Sequence, residues 1–187
     1  METVSTMLDG TNPHDILVDD VLQISGISRG SLYHHFGDFT GLIETTLLAR
    51  FSANVEADGK AMWQIAESAK SKDDYWQKIR KLSANTQLPS RAPIRAERAR
   101  LISMASTGGD FAVALAAAQD RLTQALADSI SHAQSKGWVN PTFSPRAISL
   151  FVQAYSLGRA IDDVAKAHLP NKEWVNLIDT VLATFEA

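Results

Sequence analysis

Ser28, Arg29, Ser31, Tyr33, His34 and His35 fall within residues 28–35, interleaved with the apolar residues Ile27, Leu32 and Phe36. Hydroxyls, a guanidinium, a phenol and two imidazoles on one short stretch supply hydrogen-bond donors, acceptors and charge. On a helix that buries Ile27, Leu32 and Phe36, they form a polar outward face. The chemistry of such a face is recognition, with contacts to phosphates and to base edges in a DNA major groove. Gly30 costs a helix roughly 1 kcal/mol against Ala, but its missing side chain lets the helix approach a phosphate backbone closely.

That face needs a frame to hold it. Val18-Asp19-Asp20-Val21-Leu22-Gln23-Ile24-Ser25 reads as a short helix, and Gly26 as a tight turn. A second short helix follows, with Ser28 as its cap, the hydroxyl accepting from a backbone N–H of the first turn. Val18, Val21, Ile27, Leu32 and Phe36 can close one small apolar core between the two. The result is a helix-turn-helix, with the second helix offered to DNA. The plainer alternative is a helical hairpin in an ordinary all-α protein.

The run from Val18 to Phe36, above all Gly26-Ile27-Ser28-Arg29-Gly30-Ser31-Leu32-Tyr33-His34-His35-Phe36, closely resembles the DNA-binding head of the tetracycline-repressor (TetR) family. The resemblance implies a helix-turn-helix head over residues 1–38. An effector-binding and dimerisation body would occupy 39–187. It implies a regulator, a repressor by expectation, that binds double-stranded operator DNA as a homodimer and is released by a small-molecule effector. Ser28, Arg29, Gly30, Ser31, Tyr33, His34 and His35 become the expected DNA-contacting residues. Three positions depart from the pattern: Leu17 stands where Ser or Thr usually caps the motif, Phe39 where Lys is frequent, and Leu22 where a small residue packs. The helix before the motif has only Glu2 to Asp9 available, so it is very short or the numbered chain lacks part of it.

The whole chain has 187 residues, 45% hydrophobic and 21% charged, which suits a small head and a larger helical body. It has no cysteine, which excludes disulfides and thiolate metal sites. No signal-like segment or membrane-length apolar run is present, so the reading is a cytoplasmic protein with no membrane partner. The net charge is −3, and the head is more acidic than the rest. In residues 1–50, Arg29 and Arg50 stand against Glu2, Asp9, Asp15, Asp19, Asp20, Asp38 and Glu44, a formal charge of −5. Cations that displace counterions supply most non-specific DNA affinity, so weak non-specific binding follows, easing only as His34 and His35 gain charge on acidification.

The remainder shows helical periodicity and no sustained alternation, so the fold class is all-α. A long helix should start after Gly37-Asp38, ending near Asp58-Gly59 or continuing to about Lys70. The next should be capped by Ser71 or Asp73 and broken by Leu88-Pro89-Ser90-Arg91-Ala92-Pro93. One from Ile94 to about Ala105 precedes a break at Thr107-Gly108-Gly109. A longer one should run from Asp110 to Lys136, with Gly137 closing it. Ser144 and Pro145 should open a helix to about Ala167, and the last should run from Lys172 to Phe185. The final two long helices are the expected dimer surface, with Ala154, Gly158 and Ala165 permitting close packing.

Trp63, Trp76, Met104, Phe111 and Tyr155 are the expected effector-binding residues, since ligand cavities are apolar with a few polar groups. Gln153 and Tyr155 would supply those groups, and the effector would be a lipophilic organic molecule. Ordinary core packing is the alternative for each. Arg91, Arg95, Arg98 and Arg100, next to Glu97, read as a solvated helix face, with coordination of an acidic ligand as the alternative. Asp162-Asp163 also read as a solvated face. The histidines are scattered, and no metal site, cofactor or catalytic constellation is expected. A second reading stays open: a small-molecule-binding helical protein whose degenerate head grips DNA weakly.

Overall fold

Glycines and side-chain caps shape the helix-turn-helix. The computed structural model describes residues 1–106 and 108–187; Thr107, expected in the break before the long helix, lies outside the described residues. The first helix, α1 (Glu2–Leu8), is short and buries Val4. A single 3₁₀ turn at Pro13–Asp15 leads into α2 (Val18–Ser25). Gly26, at φ +70°, takes the left-handed conformation that closes α2. Its N–H donates to the Leu22 carbonyl at 3.0 Å. The next helix, α3 (Arg29–Phe36), is capped by Ser28, whose Oγ accepts from the Ser31 N–H at 3.1 Å. The following corner requires two glycines. Gly37 sits at φ +77°, and a Cβ on Gly41 would lie 2.2 Å from the Phe36 carbonyl oxygen. Asp38 caps α4, its Oδ1 accepting from the Gly41 N–H at 2.7 Å.

The helix α4 (Phe39–Ser68) takes the longer of the two lengths the sequence allows. It runs through Gly59 because that glycine is buried against α7 (Gly109–Ser135). A Cβ there would come within 3.0 Å of the Ala125 Cβ. Between them in sequence lie α5 (Lys72–Thr86) and α6 (Ala92–Ala105). After Gly137 come α8 (Pro145–Gly158), a single turn α9 (Ala160–Asp163), and α10 (Asn171–Ala183). An isolated bridge between Val139 and Glu186 is the one strand-like pairing among the described residues, so the fold is all-α.

Two apolar clusters fill the interior. One runs without a break from Val4, Val21 and Leu32 in the head, along Leu42, Leu47 and Phe51 of α4, to Leu101 of α6 and Leu122 of α7. Burying each such leucine stabilises the fold by about 1.5–3 kcal/mol. The other joins the end of α4 to α5, α8 and α10 around Trp76, Tyr155 and Ile178.

Four expectations need correction. Ile27 does not join the head core: it is 39% exposed, and Val4, Ile16 and the first turns of α4 complete that core instead. The helix expected to reach Ala167 stops at Gly158. Its continuation is one turn of α9, and the chain then folds back so that the Leu169 N–H donates to Asp162 Oδ1 at 2.9 Å. Ala165 therefore does not continue the small-residue stripe. Asp163 is not on a solvated face: it makes a two-pronged pair with Arg95, at 2.6 and 2.8 Å, which clamps α6 to α9. Arg95 is 5% exposed, and Arg98 turns into the body, so the arginine run is not a solvated face either.

Candidate functional site

On the head, α3 presents Arg29, Tyr33, His34 and His35 to solvent, with Ser28 and Gly30 at its exposed start and Ser31 half-buried. The His34 and His35 rings meet edge-on, 5.2 Å between centroids. Only the Ser28 Oγ, at 3.9 Å, comes within 4 Å of a Cβ built on Gly30, so nothing obstructs close approach there. The sequence-expected residues thus lie together on one short helix. Its electrostatics are weak. The Arg29 guanidinium is ion-paired with Asp19 of α2. Arg50 turns inward, donating to the Ser5 carbonyl at 2.7 Å and Asp9 at 2.8 Å while pairing with Glu97 of α6 at 3.2 Å. Both bases of residues 1–50 are therefore matched by carboxylates. Leu17 makes no side-chain cap and is 61% exposed, and Phe39 packs against the core.

In the body, a cleft of about 310 Å³ opens between α4, α6 and α7. Its wall is apolar: Phe51, Leu101, Ile102, Ala105, Ala112, Leu115 and Ala116. Two polar side chains, Arg98 and Gln119, complete it. A smaller recess adjoins it, sharing Phe51, Arg98 and Leu101 and reaching Asp58.

The five residues expected to share a cavity line neither of these recesses. Met104 and Phe111 pack at the edge of the first cluster. Trp76 and Tyr155 belong to the second, where the Trp76 indole donates to the Trp138 carbonyl at 2.8 Å and the Tyr155 hydroxyl meets Ser83 Oγ at 2.9 Å. Trp63 is 42% exposed and stacks on His132. None of the five lines the cleft. Their apolar character selected them, but four of them serve two separate cores and Trp63 stays at the surface.

Arg98, read from the sequence as part of a solvated run with ligand coordination as the alternative, stands in the cleft wall, beside apolar lining residues that the sequence reading did not single out for it. One signal was available: Arg98, Leu101, Ile102 and Ala105 are spaced i, i+3, i+4 and i+7, one face of a helix. Its guanidinium lies over the Phe51 ring, 5.8 Å from the centroid. Nη2 donates to Gln153 Oε1 at 2.6 Å and Gln119 Oε1 at 3.2 Å. Gln153 in turn donates to Thr123 Oγ1 at 3.1 Å and the Ser149 carbonyl at 3.2 Å, linking α6, α7 and α8 in one buried polar network. Gln153, expected as a polar group of an effector cavity, is buried behind Arg98 and Gln119 and does not line the cleft. Burial pushes the Arg98 pKa down, opposed by the charge of Asp58.

Among the described residues, no group of three or more His, Asp or Glu is placed to hold a metal; His168 meets only Asp162. No helix there is long and apolar enough to cross a membrane.

No family model matches the chain, and no curated protein does. Solved structures do match. A proposed TetR-family transcriptional regulator from Rhodococcus sp. is 19% identical at TM-score 0.69, over 100% of this chain and 95% of that one. A proposed transcriptional regulator from Saccharomonospora viridis, in complex with choline, is 16% identical at TM-score 0.70, over 100% and 95%. A TetR-family transcriptional regulator from Pectobacterium atrosepticum is 17% identical at TM-score 0.64, over 98% and 88%.

Proposed function

We propose that this chain, which has the fold of TetR-family transcriptional regulators, works as one: a homodimeric repressor that grips operator DNA through α3 and lets go when a small molecule enters the cleft. The head of residues 1–38 would carry DNA recognition, and residues 39–187 effector binding and dimerisation. The observation that carries this reading is the joint presence of two features. One is a capped helix-turn-helix whose second helix exposes an unobstructed polar face. The other is a separate apolar cleft built on α4, the helix that leads directly out of that head. A ligand that prefers one setting of α4 shifts the population of DNA-competent dimers.

The dimer surface is assigned to α8 and α10, with the α9 turn between them. Leu150 of α8, Ile161 and Val164 at α9, and Leu177 of α10 are 62%, 79%, 85% and 54% exposed on the single chain. A Cβ on Gly158 would meet nothing within 4 Å, so close packing inside the subunit does not account for this glycine. A partner helix does. In the DNA-bound dimer the two α3 helices should stand about one DNA turn apart, near 34–36 Å.

A gel-shift against the DNA flanking the chain's own gene tests the reading. A retarded band that survives competitor DNA supports it. A second reading has its own support in the ion-paired bases of the head: a small-molecule-binding protein whose head no longer grips DNA. Absence of any operator band, with a ligand-stabilised body, would favour that one.

A further inference from the structure

We infer that the cleft takes an organic acid: a carboxylate held by Arg98 with an apolar body lying along α6 and α7. The inference rests on the proposed reading of the cleft as the effector site, and names the chemical class it selects. Buried charges are ordinarily paired. The other inward-facing arginines follow that rule: Arg50 has Asp9 and Glu97, Arg95 has Asp163, and Arg159 has Asp162. Arg98 does not. Among the described residues, no carboxylate oxygen lies within 4.0 Å of it, and its hydrogen bonds all leave from Nη2, to neutral amide oxygens. Its Nε is buried with no hydrogen-bond partner, as are Nε and Nη1 of the ion-paired Arg159, so the missing carboxylate is what sets Arg98 apart. Asp58 acts on it only through space. A guanidinium with no carboxylate partner therefore stands beside Gln119 in the wall of a mainly apolar cleft. A carboxylate in the cleft supplies the missing counter-charge.

The cleft also limits the rest of the molecule. At about 30 Å³ per water-sized group, its volume of about 310 Å³ holds on the order of ten heavy atoms. Leu101, Ile102, Leu115 and the alanines of α7 offer that portion nothing but apolar contact. A quaternary ammonium such as choline, which occupies the S. viridis neighbour, is disfavoured here. It would face the Arg98 charge, and the Phe51 ring that could hold it already lies beneath that guanidinium.

The test is titration calorimetry on the full chain without DNA, using decanoate, decanol and decyltrimethylammonium as probes of matched apolar length. Decanoate should bind about tenfold or more tightly than decanol, the range expected for a charge-assisted hydrogen bond, and the ammonium weakest. Arg98→Gln should erase the preference for decanoate, and Arg98→Lys should keep part of it. Ala112→Trp fills the cleft from α7, about two helical turns before Gln119, and should abolish decanoate binding even if Arg98→Gln does not fold. Equal binding of decanol, tighter binding of the ammonium, no decanoate binding, or decanoate binding unaffected by Ala112→Trp would each overturn the inference. Release of operator DNA by decanoate is a separate measurement. Its failure, with the binding preference intact, would count against the regulator reading and leave the ligand class standing.

Discussion

The ion pair between Arg29 and Asp19 makes the head's grip on DNA adjustable by a single atom change. Asp19→Asn keeps the shape of α2 but removes one negative charge and the partner that holds Arg29 away from a phosphate or a guanine. The side chains are 51% and 80% exposed, and an exposed pair of this kind contributes roughly 0–1 kcal/mol to folding, so the variant should fold normally. On DNA the effect is larger. If each freed guanidinium reaches a phosphate, a dimer gains two contacts and steepens the log–log salt slope by about 1.8, at about 0.9 per phosphate. Between roughly 50 and 200 mM salt, that slope amounts to about a twelvefold greater loss of affinity than for the parent chain. If Arg29 reads guanine instead, affinity for operator rises over random DNA by a factor matching about 1–3 kcal/mol, with little change in slope. Fluorescence anisotropy of labelled operator and scrambled duplexes across a salt series separates the two. The parent chain should show a shallow slope, since both of its head bases are matched. Unchanged affinity and slope in Asp19→Asn would refute the reasoning, because Arg29 would then contact DNA in neither way. A steep parental slope would show that cations outside the head supply the grip.

Other outcomes follow from the body. Asp163→Ala strands the Arg95 guanidinium, 6% exposed, with only the Thr86 and Leu88 carbonyls. It should cost about 3–5 kcal/mol by urea denaturation at fixed protomer concentration, whereas Arg95→Met with Asp163→Leu should recover most of that. The hydrogen bond from Arg95 holds the Asp163 carboxyl below its ordinary range. The pair's contribution is therefore complete above the unfolded carboxylate value, about pH 3.9, and fades as pH falls through the lower folded one. An acid limb equally steep in Asp163→Asn would contradict that. Gly158→Leu should convert dimer to monomer in sedimentation at micromolar concentration while leaving helix content unchanged, and an intact dimer would move the interface away from α8.

Much of the fold was legible in residue type alone. Local rules set the helix-turn-helix: Gly26 and Gly37 at positive φ, Ser28 and Asp38 as caps, and apolar residues at the inward positions, with Ile27 the one apolar residue read as inward that faces out. Such features involve residues within a few positions of one another, so the chain states them directly. The polar face of α3 was legible for the same reason, because Leu32 and Phe36, four residues apart, mark its inward stripe and the residues around them are nearly all polar. What the sequence could not state is which helix meets which. Trp76 and Tyr155 looked like lining for a cavity, but which core each serves depends on how α5 and α8 dock. Arg95 and Arg98, three residues apart with the same side chain, have different surroundings. One meets Asp163 from a turn 68 positions away. The other meets two glutamine amides from α7 and α8 and is left without a carboxylate. A charged side chain's partner is chosen by long-range packing, so only the tertiary structure decided that Arg95 is a clamp and that Arg98 faces a cleft.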